Sequence, residues 1–113
     1  MYSFEKLVVW QKTIDFIEHI YILCNKIPKV EEKNLIDQIR RSSTSIALNI
    51  AEGNGAESNV EHKHFLYMAR KSLYETRALL LIIKKIYRIS IDTYTIELDQ
   101  IGKMLNGLIN SQK

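Results

Sequence analysis

The sequence predicts an all-α chain of four helical segments, and three observations predict it. Apolar residues recur at spacings of three and four through most of the chain, the signature of a helix face. No apolar–polar alternation of the kind a half-buried strand shows runs longer than a few residues. Turn formers are scarce, with four glycines and one proline in 113 residues. Pro28 follows the first apolar segment, Gly53 and Gly55 follow the second, and Ser90 with Asp92 breaks the third, as cap-type residues do. No repeat, low-complexity tract or linker divides the chain, so residues 1–113 read as a single domain, large enough for its own core.

The first helix is expected from about Leu7 to Asn25, with Trp10, Ile14, Ile17, Tyr21 and Cys24 on its inward face. In the second, Leu35, Ile39, Ser43, Ile46 and Ile50 share the inward face, with Ser42 at its edge. Four consecutive Ser/Thr residues, Ser42 to Ser45, cross this helix although such residues are neutral or poor helix formers. They read as small packing residues that let a neighbour approach, their hydroxyls bonding back to the preceding turn. Ser72 and Ala69 are their natural counterparts. Arg41 points away from the core near Thr44 and Leu48, and Arg40 sits on the flank. Both arginines and the exposed Leu48 are assigned to a subunit contact first and to a ligand second.

The third helix starts at a capping box, Ser58-Asn59-Val60-Glu61, and can continue to about Arg88. Phe65, Ala69, Leu73, Thr76, Leu80, Ile83 and Tyr87 form its inner face. A second apolar stripe of Met68, Leu79, Ile82 and Ile86 lies about 100° around the helix. It reads either as a wide buried face or as a subunit interface. The fourth helix, about Thr93 to Ser111, carries a seam of Tyr94, Leu98, Ile101, Leu105 and Leu108. Gly102 and Gly107 lower its intrinsic stability, so packing must hold it.

Composition excludes several classes. Hydrophobic residues are 46% and charged residues 26% of the chain, an ordinary soluble mix. The lone Cys24 cannot form an internal disulfide. No apolar run reaches membrane-spanning length and the first twenty residues carry acids throughout, so a cytoplasmic protein without a membrane role is expected. An enzyme has little to stand on: no phosphate-cradling glycine loop, no nucleophile with a base, no paired inward carboxylates. His62 and His64 point about 200° apart on a helix and cannot share a metal. Glu61 and His64 have the Glu-x-x-His spacing, but no second such pair exists for a di-metal site. No cofactor or metal is expected.

The charge points to a partner. The net charge is +3, yet between Ser58 and Ile89 seven Lys/Arg stand against two Glu, leaving the rest slightly acidic. Lys63, Arg70, Arg77 and Lys84 recur every seven residues and Arg88 follows four later. A heptad drifts only about 20° on an α-helix, so the five share one stripe. Their spacing of roughly 10 Å along the axis suits successive phosphates of RNA or DNA. Tyr67 and Tyr74 lie nearby and could stack on unpaired bases. The bland alternative is a solvated face paired with acids on neighbouring helices.

The string QIRRSSTSIALNIAEG, with Trp10 and Pro28 before it and Glu61, Phe65, Ala69, Ser72 and Glu75 after it, resembles the four-helix-bundle proteins encoded in intervening sequences of 23S ribosomal RNA genes. That family includes the accessory variability determinant of diversity-generating retroelements. Ile27 stands where a Phe is common, Lys71 replaces a small residue, and Thr76 stands where Leu is usual. The resemblance implies an antiparallel up-and-down bundle assembling as a ring-like homopentamer. In the retroelement branch it implies binding of nucleic acid and of a reverse transcriptase; in the ribosomal-insert branch no role is established. Two functions follow as expectations: a non-enzymatic oligomer holding RNA or DNA on its basic stripe, or a protein-interaction scaffold, such as one docking a reverse transcriptase, with no direct nucleic-acid role.

Overall fold

A computed structural model describes residues 1–112. Four α-helices account for most of them: α1 (Val8–Cys24), α2 (Asp37–Asn54), α3 (Asn59–Tyr87) and α4 (Asp92–Ser111). No strand occurs among the described residues. Each helix packs on the next and α1 closes the circuit against α4. The 29 residues of α3 span about 43 Å at 1.5 Å each, which matches the molecule's longest dimension of 43 Å.

The largest buried side chains come from all four helices: Phe16, Ile20 and Leu23; Ile39, Ile46 and Ile50; Leu66, Leu80 and Ile83; Leu98 and Ile101. Each contributes roughly 1.5–3 kcal/mol by leaving water. In α2, α3 and α4 the expected faces are largely those observed. On α1 the buried stripe is Val9, Thr13, Phe16, Ile20 and Leu23, with Cys24. The expected series lies one residue away, and of it only Cys24 is buried; Ile14 and Tyr21 are exposed. Two apolar series run along α1 in parallel, and the one holding Phe16 wins because it removes more apolar area from water. Thr13 disguised it. Its hydroxyl donates to the Val9 carbonyl at 2.7 Å, so it enters the core already satisfied.

The Ser/Thr run behaves as a packing device. Ser43 Oγ donates to the Arg40 carbonyl (3.1 Å) and Thr44 Oγ1 to the same carbonyl (2.8 Å). Ser72 Oγ of α3 donates to Ser45 Oγ at 2.9 Å. One turn along, Thr76 Oγ1 lies 2.8 Å from Ser42 Oγ, so the residue that departs from the usual Leu closes a buried hydroxyl pair. Small side chains on both helices allow the approach, and each of these hydroxyls has a hydrogen-bond partner.

The chain breaks follow local chemistry. Three short i→i−3 bonds at Asn25, Lys26 and Ile27 unwind α1 ahead of Pro28. Helix α2 continues through Gly53 and Asn54 and ends at Gly55, later than a stop at Gly53. Gly53 is needed for contact rather than for a turn, because a Cβ there would lie 3.0 Å from Phe65 Cβ and 3.1 Å from His62 Cδ2. Ser58 Oγ caps α3 by accepting from Glu61 N at 3.1 Å. No described helix is long and apolar enough to cross a membrane.

Two of the helix glycines give opposite expectations. Around Gly107 nothing stands within 4 Å of an added Cβ, so Gly107→Ala should stabilise by about 0.5–1 kcal/mol through helix propensity. Gly53→Ala should destabilise by about 1–3 kcal/mol, because the neighbouring Cβ and ring must move. Urea melts of the two variants check the pair, and a stabilised Gly53→Ala would refute the close contact.

Candidate nucleic-acid interface

Helix α3 carries the stripe, wedged between α2 and α4. Its cations do not share one environment. Arg77 Nη1 pairs with Asp99 Oδ1 of α4 at 2.7 Å, and Arg70 Nη1 donates to Asn106 Oδ1 of α4 at 2.9 Å. Asp92, Asp99 and Asn106 are themselves seven residues apart, so a second heptad on α4 faces the basic one. Next in this ladder Lys84 and Asp92 line one open cavity, and no ion pair joins them. Lys63 is half-buried and Lys84 exposed, and neither is ion-paired among the described residues.

Arg88 departs from the expected stripe. The helix ends at Tyr87, and Arg88 is its cap in the left-handed region at φ 56°, ψ 32°. Its side chain therefore leaves the heptad geometry and turns into the α3–α4 corner with Leu81, Lys84, Lys85, Ile89, Ser90 and Asp92. The tyrosines also differ. The Arg70 guanidinium lies 4.9 Å from the centre of the Tyr67 ring, so one face of Tyr67 already has a cation. Tyr74 is 65% exposed and borders a groove with Arg77, Asp99, Lys103 and Asn106. Lys103 was not legible as part of the surface, because α4 shows no basic periodicity.

The residues assigned to a subunit contact separate into three groups. Leu79 is only 5% exposed and belongs to the protomer's own core, lying one heptad after Ser72, which meets Ser45 of α2; it is removed from the outer stripe. Met68, Ile82 and Ile86 on α3 and Leu48 on α2 are exposed. Arg40 and Arg41 play different parts. The Arg40 guanidinium lies 5.1 Å from the centre of the Tyr21 ring and pairs with Glu32 at 3.2 Å, joining α1, α2 and the turn between them. Burial pushes the nearby Cys24 thiol up, with Arg40 opposing that rise. Arg41 has a 78% exposed side chain and, among the described residues, pairs only with Asp37, one turn earlier, at 2.9 Å.

Elsewhere, the Tyr87 hydroxyl donates to Glu31, tying the end of α3 to the turn after Pro28. That bond, with a second from Asn34, holds the Glu31 carboxyl below the usual range and pushes the Tyr87 hydroxyl up. His19 bonds Glu97 of α4 at 2.7 Å. His62 packs against Gly53. No group of three or more His, Cys, Asp and Glu is placed to hold a metal ion among the described residues.

These features define a four-helix protein whose accessible chemistry is cationic side chains along one long helix, with exposed apolar residues beside them. The model of the 23S rRNA-intervening sequence protein family matches residues 5–107, and the chain belongs to that family. Among solved structures it is similar to a protein of unknown function from the S23 ribosomal protein family of Bacteroides thetaiotaomicron, at 30% identity and a TM-score of 0.79, over 92% of this chain and all of that one. No curated protein matches the chain.

Arg40→Ala should cost about 1–2 kcal/mol, through the lost cation–π contact, ion pair and packed stem. Arg41→Ala removes one exposed i,i+4 pair and should cost no more than about 0.5 kcal/mol. Chemical denaturation of the two variants tests this, and equal losses would contradict the internal role of Arg40.

Proposed function

We propose that the protein is a non-enzymatic, oligomeric binder of RNA or DNA that holds phosphates along α3 with little sequence preference. The observation that carries this reading is the set of cations on and beside α3 that make no ion pair among the described residues: Lys63, Arg70, Lys71, Lys84, Lys85 and Arg88. Arg77 does not weaken it. An exposed ion pair such as Arg77–Asp99 is worth about 0–1 kcal/mol, so a phosphate can exchange for the carboxylate. Lys and Arg in such an array bind by releasing counterions rather than by reading bases. Tyr74, and the open face of Tyr67, supply stacking for unpaired bases.

The helices form an antiparallel up-and-down bundle in this reading. Partners along α1 run from Lys12–Gln100 to His19–Glu97, and those along α2 from Ser42–Thr76 to Ser45–Ser72. Along α3 they run from Arg70–Asn106 to Arg77–Asp99. In each pair one number rises as the other falls. Assembly as a ring of five would repeat the stripe and add avidity where one strand reaches several copies. The exposed Leu48, Met68, Ile82 and Ile86 support a subunit contact, since apolar residues grouped on a surface mark association. The same patch favours the second reading, a scaffold whose partner is another protein such as a reverse transcriptase.

Binding should fall linearly on a log–log plot against salt. Lys63→Gln combined with Lys84→Gln removes two phosphate contacts and should flatten the duplex-DNA slope by about 1.8, at roughly 0.9 per contact. Fluorescence anisotropy across a salt series measures it. An unchanged slope would sink the stripe assignment, and absence of binding at low salt would leave the scaffold reading.

Ile82→Asp with Ile86→Asp tests assembly separately. Both positions are exposed in the protomer, so helicity should be retained while light scattering shows a shift from oligomer to monomer. An intact oligomer in this variant would remove α3's outer face from the interface.

A further inference from the structure

The α3–α4 corner is a different kind of surface from the rest of the stripe. Along α3 the cations are spread roughly 10 Å apart, but here Lys84, Lys85 and Arg88 gather around one open cavity of about 490 Å³. None of the three is ion-paired among the described residues. The rest of the lining is Leu81 and Ile89, which are apolar, and Ser90 and Asp92, which are not. Two rungs of the α3–α4 ladder are closed, at Arg70–Asn106 and Arg77–Asp99. The third, Lys84 opposite Asp92, is open, and the cavity occupies it.

The backbone gives an independent sign. Arg88 is the only described residue with a positive φ. A helix that ends in the left-handed conformation normally does so at glycine, which suffers no Cβ clash there. The chain instead places an arginine at the strained position. Backbone strain of this kind persists where the surrounding structure or a function holds it. Helix-end electrostatics account for Lys84 and Lys85 in the last turn of α3, but not for an arginine in place of glycine one residue later.

We propose that this corner binds a nucleoside phosphate, either free or as the phosphorylated end of a strand. Lys84, Lys85 and Arg88 hold the phosphate, Arg being suited to two-pronged contact with its oxygens. Leu81 and Ile89 offer an apolar bed for the base. The Asp92 carboxylate repels an inorganic anion, but it accepts hydrogen bonds from sugar hydroxyls, which an inorganic phosphate lacks. That combination of cations, apolar wall and one acceptor selects a nucleotide over phosphate alone. The inference deepens the phosphate-binding reading and shares Lys84, Lys85 and Arg88 with it, but it concerns strand ends and predicts binding of a single nucleotide.

The test uses the full chain and four probes: adenosine monophosphate, and one short RNA carrying a 5′-phosphate, a 3′-phosphate or no terminal phosphate. A terminal phosphate at one end should tighten binding by about tenfold or more, the worth of one charge-assisted hydrogen bond. Adenosine monophosphate should compete for that gain while inorganic phosphate does so poorly. Arg88→Gly and Lys85→Gln should each abolish the preference. Arg88→Gly should leave the melting temperature unchanged or raised, because glycine suits the cap, so loss of binding there cannot be assigned to unfolding. Lys63→Gln and Arg70→Gln should weaken all strands alike and keep the preference. Binding of adenosine monophosphate that Arg88→Gly removes, with no strand binding at all, would support the corner and refute the stripe. Equal affinity for all three strands with no binding of the mononucleotide would overturn the corner whatever the stripe does, and so would a phosphate preference that survives Arg88→Gly and Lys85→Gln.

Discussion

The close approach of α2 and α3 is the constraint on which the rest of the structure depends. It is the most extensive helix pair in the molecule, and it is built from residues with almost no side-chain volume. Ser42, Ser45, Ser72, Thr76 and Gly53 occupy the seam. A seam of leucines would bury more apolar area but hold the axes farther apart. Hydroxyl groups solve the second half of the problem: each bonds a carbonyl of its own helix or the hydroxyl opposite, so the polar atoms are buried without being orphaned. This is why four Ser/Thr residues in succession stand in the middle of a helix that their propensities do not favour.

Close packing on α2 fixes α3 as a rod, and α4 fixes its rotation. Leu73 sits within ordinary contact of Gly102, and the Arg70 and Arg77 contacts mark the rim of that packing. Exposed contacts of this kind add little stability. Their consequence is positional: they set which cations face α4 and which are left to solvent. A heptad stripe rotates by about 20° per repeat on a straight helix. Over its length the stripe therefore turns steadily relative to α4, while α3 ends at its Arg88 cap beside the corner.

Much of this was legible in the sequence, and the failures have physical reasons. The helices of α2, α3 and α4 and most of their buried faces follow from apolar spacing, and the Ser58 cap from its residue type. On α1 the periodicity carried two answers one residue apart, and a buried threonine hid the correct one. Burial of Leu79 in the core cluster is a tertiary fact that a helical wheel does not contain. The Arg88 cap was invisible because the rule for helix ends expects glycine. One miss was avoidable. The basic heptad at Lys63, Arg70, Arg77 and Lys84 has a counterpart in Asp92, Asp99 and Asn106, equally plain in the sequence. Read together, the two series already say that part of the stripe faces a neighbouring helix.

The matched heptads bear on how a basic helix can serve both fold and ligand. If every cation met an acid on α4, the face would be a solvated ladder with no charge left over. If none did, like charges would accumulate along α3 with nothing to orient them. The observed arrangement lies between these limits: Arg77 meets an acid, Arg70 meets an amide that leaves its charge uncompensated, and Lys84 meets an open space. Excess positive charge is therefore uneven along the helix, and the α3–α4 corner gathers Lys84, Lys85 and Arg88 around one cavity. A polyanion held in the proposed way along the helix would meet three cations without an ion pair together at that end. Non-specific contact along α3 and capture at the corner are, on this view, two consequences of one incomplete ladder.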